Sequence, residues 1–78
     1  MSNDEIEFKY KPSDFPQPLR EDMEKAYDAY RKKEAWAMSV AVDDVHHSAK
    51  KAWKEHLLSF DEMKEMQIYF WGLLDEFE

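Results

Sequence analysis

The chain opens with a short stretch in which apolar and charged residues alternate, and it then changes to a helical pattern. Over residues 5–11, Ile6, Phe8 and Tyr10 take every second position and share one face of an extended segment. No second strand pattern follows, and a single strand leaves its backbone groups unpaired. We therefore expect an arm that lies on the helices. Strand pairing between two copies, or strand addition to a partner's sheet, are the open alternatives.

A connector that contains all three prolines follows the alternating stretch. Residues that precede proline avoid the helical conformation, so Pro12 and Pro16 predict an extended or turned segment. Pro18 suits the first turn of a helix. These positions divide the chain into an extended arm and connector, residues 1–18, and a helical domain, residues 19–78.

Beyond the connector, apolar residues recur at spacings of three and four, which predicts three helices. The first helix should end near Lys33, and its apolar stripe is Leu19, Met23, Ala26, Tyr27 and Tyr30. The second should cover residues 34–58, with the stripe Met38, Ala41, Val42, Val45, Ala49, Ala52, Trp53, His56 and Leu57. The inward stripe of the third is Met63, Met66, Gln67, Phe70, Leu73, Leu74 and Phe77.

The boundary between the second and third helices carries the clearest local signal in the chain. Ser59 is followed three residues later by Glu62, which is the spacing of a capping box. In this motif each side chain accepts a hydrogen bond from the backbone N–H of the other residue. The third helix should therefore begin near Phe60, and the predicted fold is an all-α three-helix bundle with an extended N-terminal arm.

The second half of the third helix is apolar almost all round, although a helix in a bundle buries only one face. Ile68 and Trp71 lie off the inward stripe, as Trp36 and Val40 do on the second helix. We predict that these four residues form a partner-binding surface. Glycine in the middle of a helix costs about 1 kcal/mol relative to alanine, so Gly72 predicts a close backbone approach.

Composition and charge restrict the classes of function. The chain has 78 residues, which is one domain, and no cysteine, so aromatic rings must supply much of a small core. Eighteen acidic residues against eleven basic ones give a net charge of −7, which repels nucleic acid and attracts a basic protein. We therefore predict an acidic protein–protein interaction module without catalytic activity, for example an inhibitor or regulator of a basic partner.

Three lysines in the second helix support an alternative function. Lys50, Lys51 and Lys54 form a small basic patch, through which a dimeric regulator could associate with nucleic acid. The order of a strand followed by two helices resembles that of ribbon-helix-helix regulators, which dimerise through the strand. The acidic charge, the prolines of the connector and the third capped helix depart from that pattern, and we assign no family.

The second helix also contains a weak candidate for a metal site. Asp43 lies three residues before His46 and four before His47, so these side chains could share a helix face. Zinc sites use three or four protein ligands, and His56 lies roughly 15 Å further along the axis. An ordinary solvated helix face is the favoured interpretation, and we expect no cofactor.

The remaining features concern location and assembly. No apolar run approaches the roughly 20 residues that cross a bilayer. The first residues are acidic and polar, unlike a signal peptide, which predicts a cytoplasmic protein. Composition does not separate a monomer from a homodimer, so both states stay open.

Overall fold

The structure, a computed structural model, describes residues 8–77 and forms three α-helices without a strand among these residues. A short 3₁₀-helix at Pro12–Asp14 precedes them. The α-helices are α1 at Leu19–Lys32, α2 at Ala35–Lys54 and α3 at Phe60–Asp75. The all-α three-helix bundle predicted from the sequence is confirmed.

A turn of two residues, Lys33 and Glu34, separates α1 from α2, and the first of them is in the left-handed conformation. Lys33 has φ 58°, its N–H donates to the Tyr30 carbonyl at 3.1 Å, and the Glu34 N–H donates to the Ala29 carbonyl at 3.1 Å. These two bonds satisfy carbonyl groups that the end of a helix leaves free. The predicted end of the first helix near Lys33 is therefore confirmed.

The second helix ends at Lys54, four residues before its predicted end. His56 has φ 65°, and the Leu57 N–H donates to the Ala52 carbonyl at 2.8 Å, which closes the helix. The prediction that His56 and Leu57 extend the buried stripe is wrong, because both are exposed and Leu58 is buried instead. If α2 continued, Leu58 would follow Val40 by five whole turns and would lie on the same exposed face.

The capping box at the start of α3 is present as predicted. The Glu62 N–H donates to the Ser59 Oγ at 3.1 Å, and the Ser59 N–H donates to the Glu62 Oε1 at 2.9 Å. Together with the left-handed His56, this motif turns the chain back within residues 55–59. As a consequence α3 runs antiparallel to α2.

The core lies between α2 and its two neighbours, since α2 packs against both α1 and α3. Its largest fully buried side chains are Leu19, Met23, Met38, Val42, Val45, Met66 and Phe70. Ser48 is the buried polar residue of this region, and its hydroxyl donates to the Asp22 carboxylate, which ties α2 to α1. The predicted inward stripes of all three helices thus supply most of the core.

Aromatic contacts hold the described part of the arm on the helices. The Phe8 ring stacks on Tyr27 with centroids 3.8 Å apart, and the Tyr27 hydroxyl donates to the Tyr10 carbonyl at 2.9 Å. Residues 8–11 form no strand. The rest of the alternating stretch, including Ile6, lies outside the described residues. The contacts of Phe8 and Tyr10 concern only the end of the alternating stretch, and the extended arm over residues 1–18 stays a prediction.

The prediction of a close backbone approach at Gly72 is wrong. A Cβ atom built on this residue meets no other group within 4 Å, and Gly72 is exposed on α3. The structure therefore shows no packing contact that would offset the conformational cost of this glycine in α3.

Candidate functional site

Two large apolar side chains project from α2 on the side opposite the core. Trp36 is 81% exposed and Val40 is 45% exposed. The fully buried Val45 lies nine residues, or two and a half turns, after Trp36, which is why the two side chains point in opposite directions. Trp36 and Val40 thus lie off the inward stripe of α2, and their role in binding a partner stays a prediction.

These two residues border a groove between α2 and α3, named here the α2/α3 groove, with a volume of about 310 Å³. Its opposite wall is Trp71, which is 51% exposed, and its floor includes Val42 and Leu74. Trp71 follows Trp36 by 35 residues in the chain. The antiparallel path of α3 brings the two indoles to one groove, whereas helical periodicity alone assigned each of them only to an outward face of its own helix.

Ile68, the fourth predicted residue, lies outside this groove. It is 62% exposed and precedes Trp71 by one helical turn on the outer surface of α3. Three of the four predicted residues therefore converge, and Ile68 extends the apolar surface away from α2.

His46 closes one end of the α2/α3 groove. Its ring meets the Trp71 indole edge to face, with centroids 4.4 Å apart, and its Nε2–H donates to the Gln67 carbonyl, 3.3 Å away. Burial lowers the pKa of His46 below its ordinary value, although the Gln67 carbonyl and the Asp43 carboxylate oppose the change and His47 adds to it. The sequence pattern did not indicate that this histidine packs against α3.

The structure does not assemble a metal site from Asp43, His46 and His47. Asp43 and His47 are exposed, whereas His46 is turned toward α3 and engaged with Gln67. Within residues 8–77, no three histidine, aspartate or glutamate residues lie close enough to hold a metal ion. Asp43 and His46 instead line the α2/α3 groove.

A second groove of about 400 Å³, named here the α1/α2 groove, lies on the other side of Trp36 and Val40. Its floor contains small side chains: Ala29, Ala37 and Ala41. Its charged residues are Lys25, Asp28, Glu34 and Asp44. Lys32 also bonds to the Asp28 carboxylate at 3.1 Å, so three acidic groups against two basic ones leave this side of the Trp36 surface slightly negative. A sequence pattern does not predict this set of charged residues, because α1, α2 and the turn between them each contribute to it.

The three lysines of the alternative hypothesis are exposed near the C-terminal end of α2. Lys54 lies 18 residues after Trp36, which is five turns or roughly 27 Å along the same face. Lys50 and Lys51 lie one turn nearer. The exposed face of α2 is thus apolar at its start, where acidic residues border it. At its end the same face carries the basic side chains of the lysines.

An open space of about 680 Å³ lies between the arm and α1. Lys11 and Arg31 line it together with Phe8, Tyr10 and Tyr27. These aromatic rings form the contacts that hold the arm in place, so we assign no ligand to this space.

Comparison of the chain with known protein families, with characterised proteins and with solved structures found no match. None of the helices in the described part of the chain is long and apolar enough to cross a membrane.

Proposed function

We propose that this protein is an interaction module that binds a positively charged protein through the α2/α3 groove. Trp36, Val40 and Trp71 are its anchor residues, and Ile68 extends the contact over α3. The observation that carries the proposal is the convergence of Trp36 and Trp71, two exposed indoles from different helices, on one groove. The proposal assigns the protein no catalytic step.

The energetics of the exposed side chains support binding. Covering one large apolar side chain contributes roughly 1.5–3 kcal/mol. Tryptophan is also among the residues that most often dominate the binding energy of an interface. Trp36 contributes little to the fold because it is 81% exposed, so a partner would gain almost the whole of its burial.

The charge around the anchors selects a basic partner. Asp43 lies in the α2/α3 groove, and Asp28, Glu34 and Asp44 lie across Trp36 and Val40 in the α1/α2 groove. The opposing charges there are Lys25 and Lys32, which pairs with Asp28 at 3.1 Å. The whole chain carries a net charge of −7. Such a field accelerates encounters with positively charged partners and disfavours acidic ones. An inhibitor or regulator of a basic protein is a specific form of this function.

The other sequence-based hypotheses stay predictions. Exposure of Lys50, Lys51 and Lys54 is compatible with a nucleic-acid-associated regulator, and salt-dependent binding to random-sequence DNA would support that function. Light scattering distinguishes a homodimer from a monomer. The cytoplasmic location stays a prediction from the sequence.

Capture from a lysate of the native cell, followed by titration of the purified partner, tests the proposal. We expect a basic protein that the wild type retains and that Trp36→Ala loses, with an affinity reduced at least about tenfold. Phe60→Ala is the matched control, since Phe60 is as exposed as Trp71 but lies roughly 16 Å along α3 from it. Equal affinities of the wild type and Trp36→Ala for the captured partner would overturn the proposal.

A further inference from the structure

We propose that the α2/α3 groove binds a lysine side chain of the partner, with the alkylammonium group held against the indole rings beside the Asp43 carboxylate. This inference rests on the proposed function and names the residue that the groove recognises. Three observations support it: the two exposed indoles, the charge of the lining residues, and the cations that other aromatic rings of this chain already hold.

The indoles offer the surface that a cation prefers. Trp36 is 81% exposed and Trp71 is 51% exposed, and both line the groove. An indole attracts a cation more strongly than the ring of phenylalanine or tyrosine does, and sites lined by such rings recognise alkylammonium groups. Val40, one turn after Trp36, provides apolar contact for the methylene groups of a lysine side chain.

Other aromatic rings of the chain hold cations of the chain itself. The Arg31 guanidinium lies 5.0 Å from the centroid of the Phe8 ring, and the Lys64 Nζ lies 6.0 Å from that of Phe60. Among residues 8–77, no lysine or arginine lies over either tryptophan of the groove. The indoles of the groove are thus open to a cation from a partner.

The charge inside the groove also favours a cation. Among the described residues that line it, Asp43 is the only acidic one and none is a lysine or arginine. The other titratable group is His46, whose Nε2–H donates to the Gln67 carbonyl. Burial lowers the pKa of His46, so above its ordinary pKa of about 6.5 this ring is neutral and adds no opposing charge.

The carboxylate and one of the indoles lie in the same part of the groove. Asp43 precedes His46 by about one helical turn, and the His46 ring meets the Trp71 indole with centroids 4.4 Å apart. An ammonium group near Trp71 is therefore also near the Asp43 carboxylate. The methylene groups of the same side chain then extend toward Val40 and Trp36.

Three short glycine–serine peptides test the inference with the full chain. One carries a central lysine, one carries trimethyl-lysine, and one carries the neutral isostere in which carbon replaces the nitrogen of trimethyl-lysine. We expect both cationic peptides to shift the indole N–H signals of Trp36 and Trp71 in NMR spectra and to bind about fivefold or more tightly than the isostere. Trp53 is the internal control, because it packs on Phe60 with centroids 5.4 Å apart and does not line the groove.

Two substitutions of neighbouring carboxylates locate the cation. Asp43→Asn should weaken binding of both cationic peptides about threefold or more and leave binding of the isostere unchanged, because it removes charge and keeps the size of the side chain. Asp44→Asn is the matched control, because Asp44 lines the α1/α2 groove instead. Trp36→Ala should weaken binding of all three peptides.

The outcomes separate this inference from the proposed function. An isostere that binds as tightly as the cationic peptides, or equal effects of Asp43→Asn and Asp44→Asn, would overturn lysine recognition and leave the groove as an apolar docking site. Peptides that shift neither indole signal of the groove would overturn it as well, even if a captured partner still requires Trp36. A captured partner that does not require Trp36 overturns the proposed function. If both cationic peptides bind more tightly than the isostere, the tighter of the two identifies free or methylated lysine as the group recognised.

Discussion

The ring of His46 meets the indole of Trp71 edge to face, with centroids 4.4 Å apart, and this pair joins α2 to α3 at one end of the groove. The contact gives Trp71 a structural role in addition to the proposed binding role. Trp36, on the other wall, is 81% exposed and has no comparable ring partner among residues 8–77. The two indoles therefore have different consequences for stability.

Replacement of the two tryptophans should separate folding from binding. We expect Trp71→Ala to lower the free energy of unfolding by about 1–2 kcal/mol, because it removes a half-buried ring and its contact with His46. Trp36→Ala should change it by less than about 0.5 kcal/mol, as should His47→Ala, because both side chains are exposed. Urea unfolding measures these values. A Trp36→Ala variant as unstable as Trp71→Ala would contradict this assignment.

The stability of the protein should depend on the protonation of His46. Burial lowers the pKa of His46 in the folded protein, so the unfolded chain binds the proton more readily. The contribution of neutral His46 is complete above its ordinary pKa of about 6.5 and is lost as the pH falls toward the lower folded pKa.

Urea unfolding between about pH 7.5 and pH 5.5 measures this effect against His46→Gln, which keeps a donor for the Gln67 carbonyl. The wild type should lose more unfolding free energy over this interval than the variant, because the titrating group is removed while the surrounding carboxylates stay. Parallel pH profiles of the two proteins would show that His46 does not titrate abnormally in the fold.

Gly72→Ala should stabilise the protein. A Cβ at this position meets open space, so the substitution should change the free energy of unfolding only through helix propensity. Helix propensity favours alanine over glycine by about 1 kcal/mol. The expected result is a higher midpoint of thermal unfolding with unchanged helical content by circular dichroism. A lower midpoint would mean that the glycine has a structural role in α3.

Ser59→Ala should destabilise the start of α3. The variant loses the bond from the Glu62 N–H to Ser59 Oγ, and caps of this type contribute about 1 kcal/mol. Ser39→Ala makes the same chemical change at an exposed position inside α2, where alanine is the better helix former. The free energy of unfolding should therefore fall for the first variant only, and a similar loss in both would exclude the cap as the cause.

Tyr27→Phe should loosen the arm. The change removes the hydrogen bond to the Tyr10 carbonyl but keeps the ring that stacks on Phe8, and such a bond contributes about 1 kcal/mol. Faster trypsin cleavage after Lys9 is the expected readout, because Lys11 precedes Pro12 and the Lys–Pro bond resists trypsin. Tyr30→Phe is the control, because its hydroxyl bonds to the exposed Glu76 carboxylate and not to the arm. Equal cleavage rates in the wild type and Tyr27→Phe would contradict the anchoring role.

Local sequence signals predicted most of the helical fold. The pattern correctly predicts the stripes of α1 and α3 and the capping box of Ser59 and Glu62, because they depend on residues three or four positions apart. It places the end of α2 four residues too late. The helix ends at Lys54 because this allows Leu58 to be buried against the rest of the bundle. A local sequence pattern contains no information about that tertiary contact.

The candidate site shows the same division. The sequence by itself determined that Trp36, Val40, Ile68 and Trp71 exceed what the inward faces can bury, because helical periodicity assigns each residue to a face. Only the tertiary structure decided that three of them share a groove with His46 and acidic neighbours. That arrangement depends on how α3 turns back along α2, and contacts between residues 25 to 35 positions apart are set by packing.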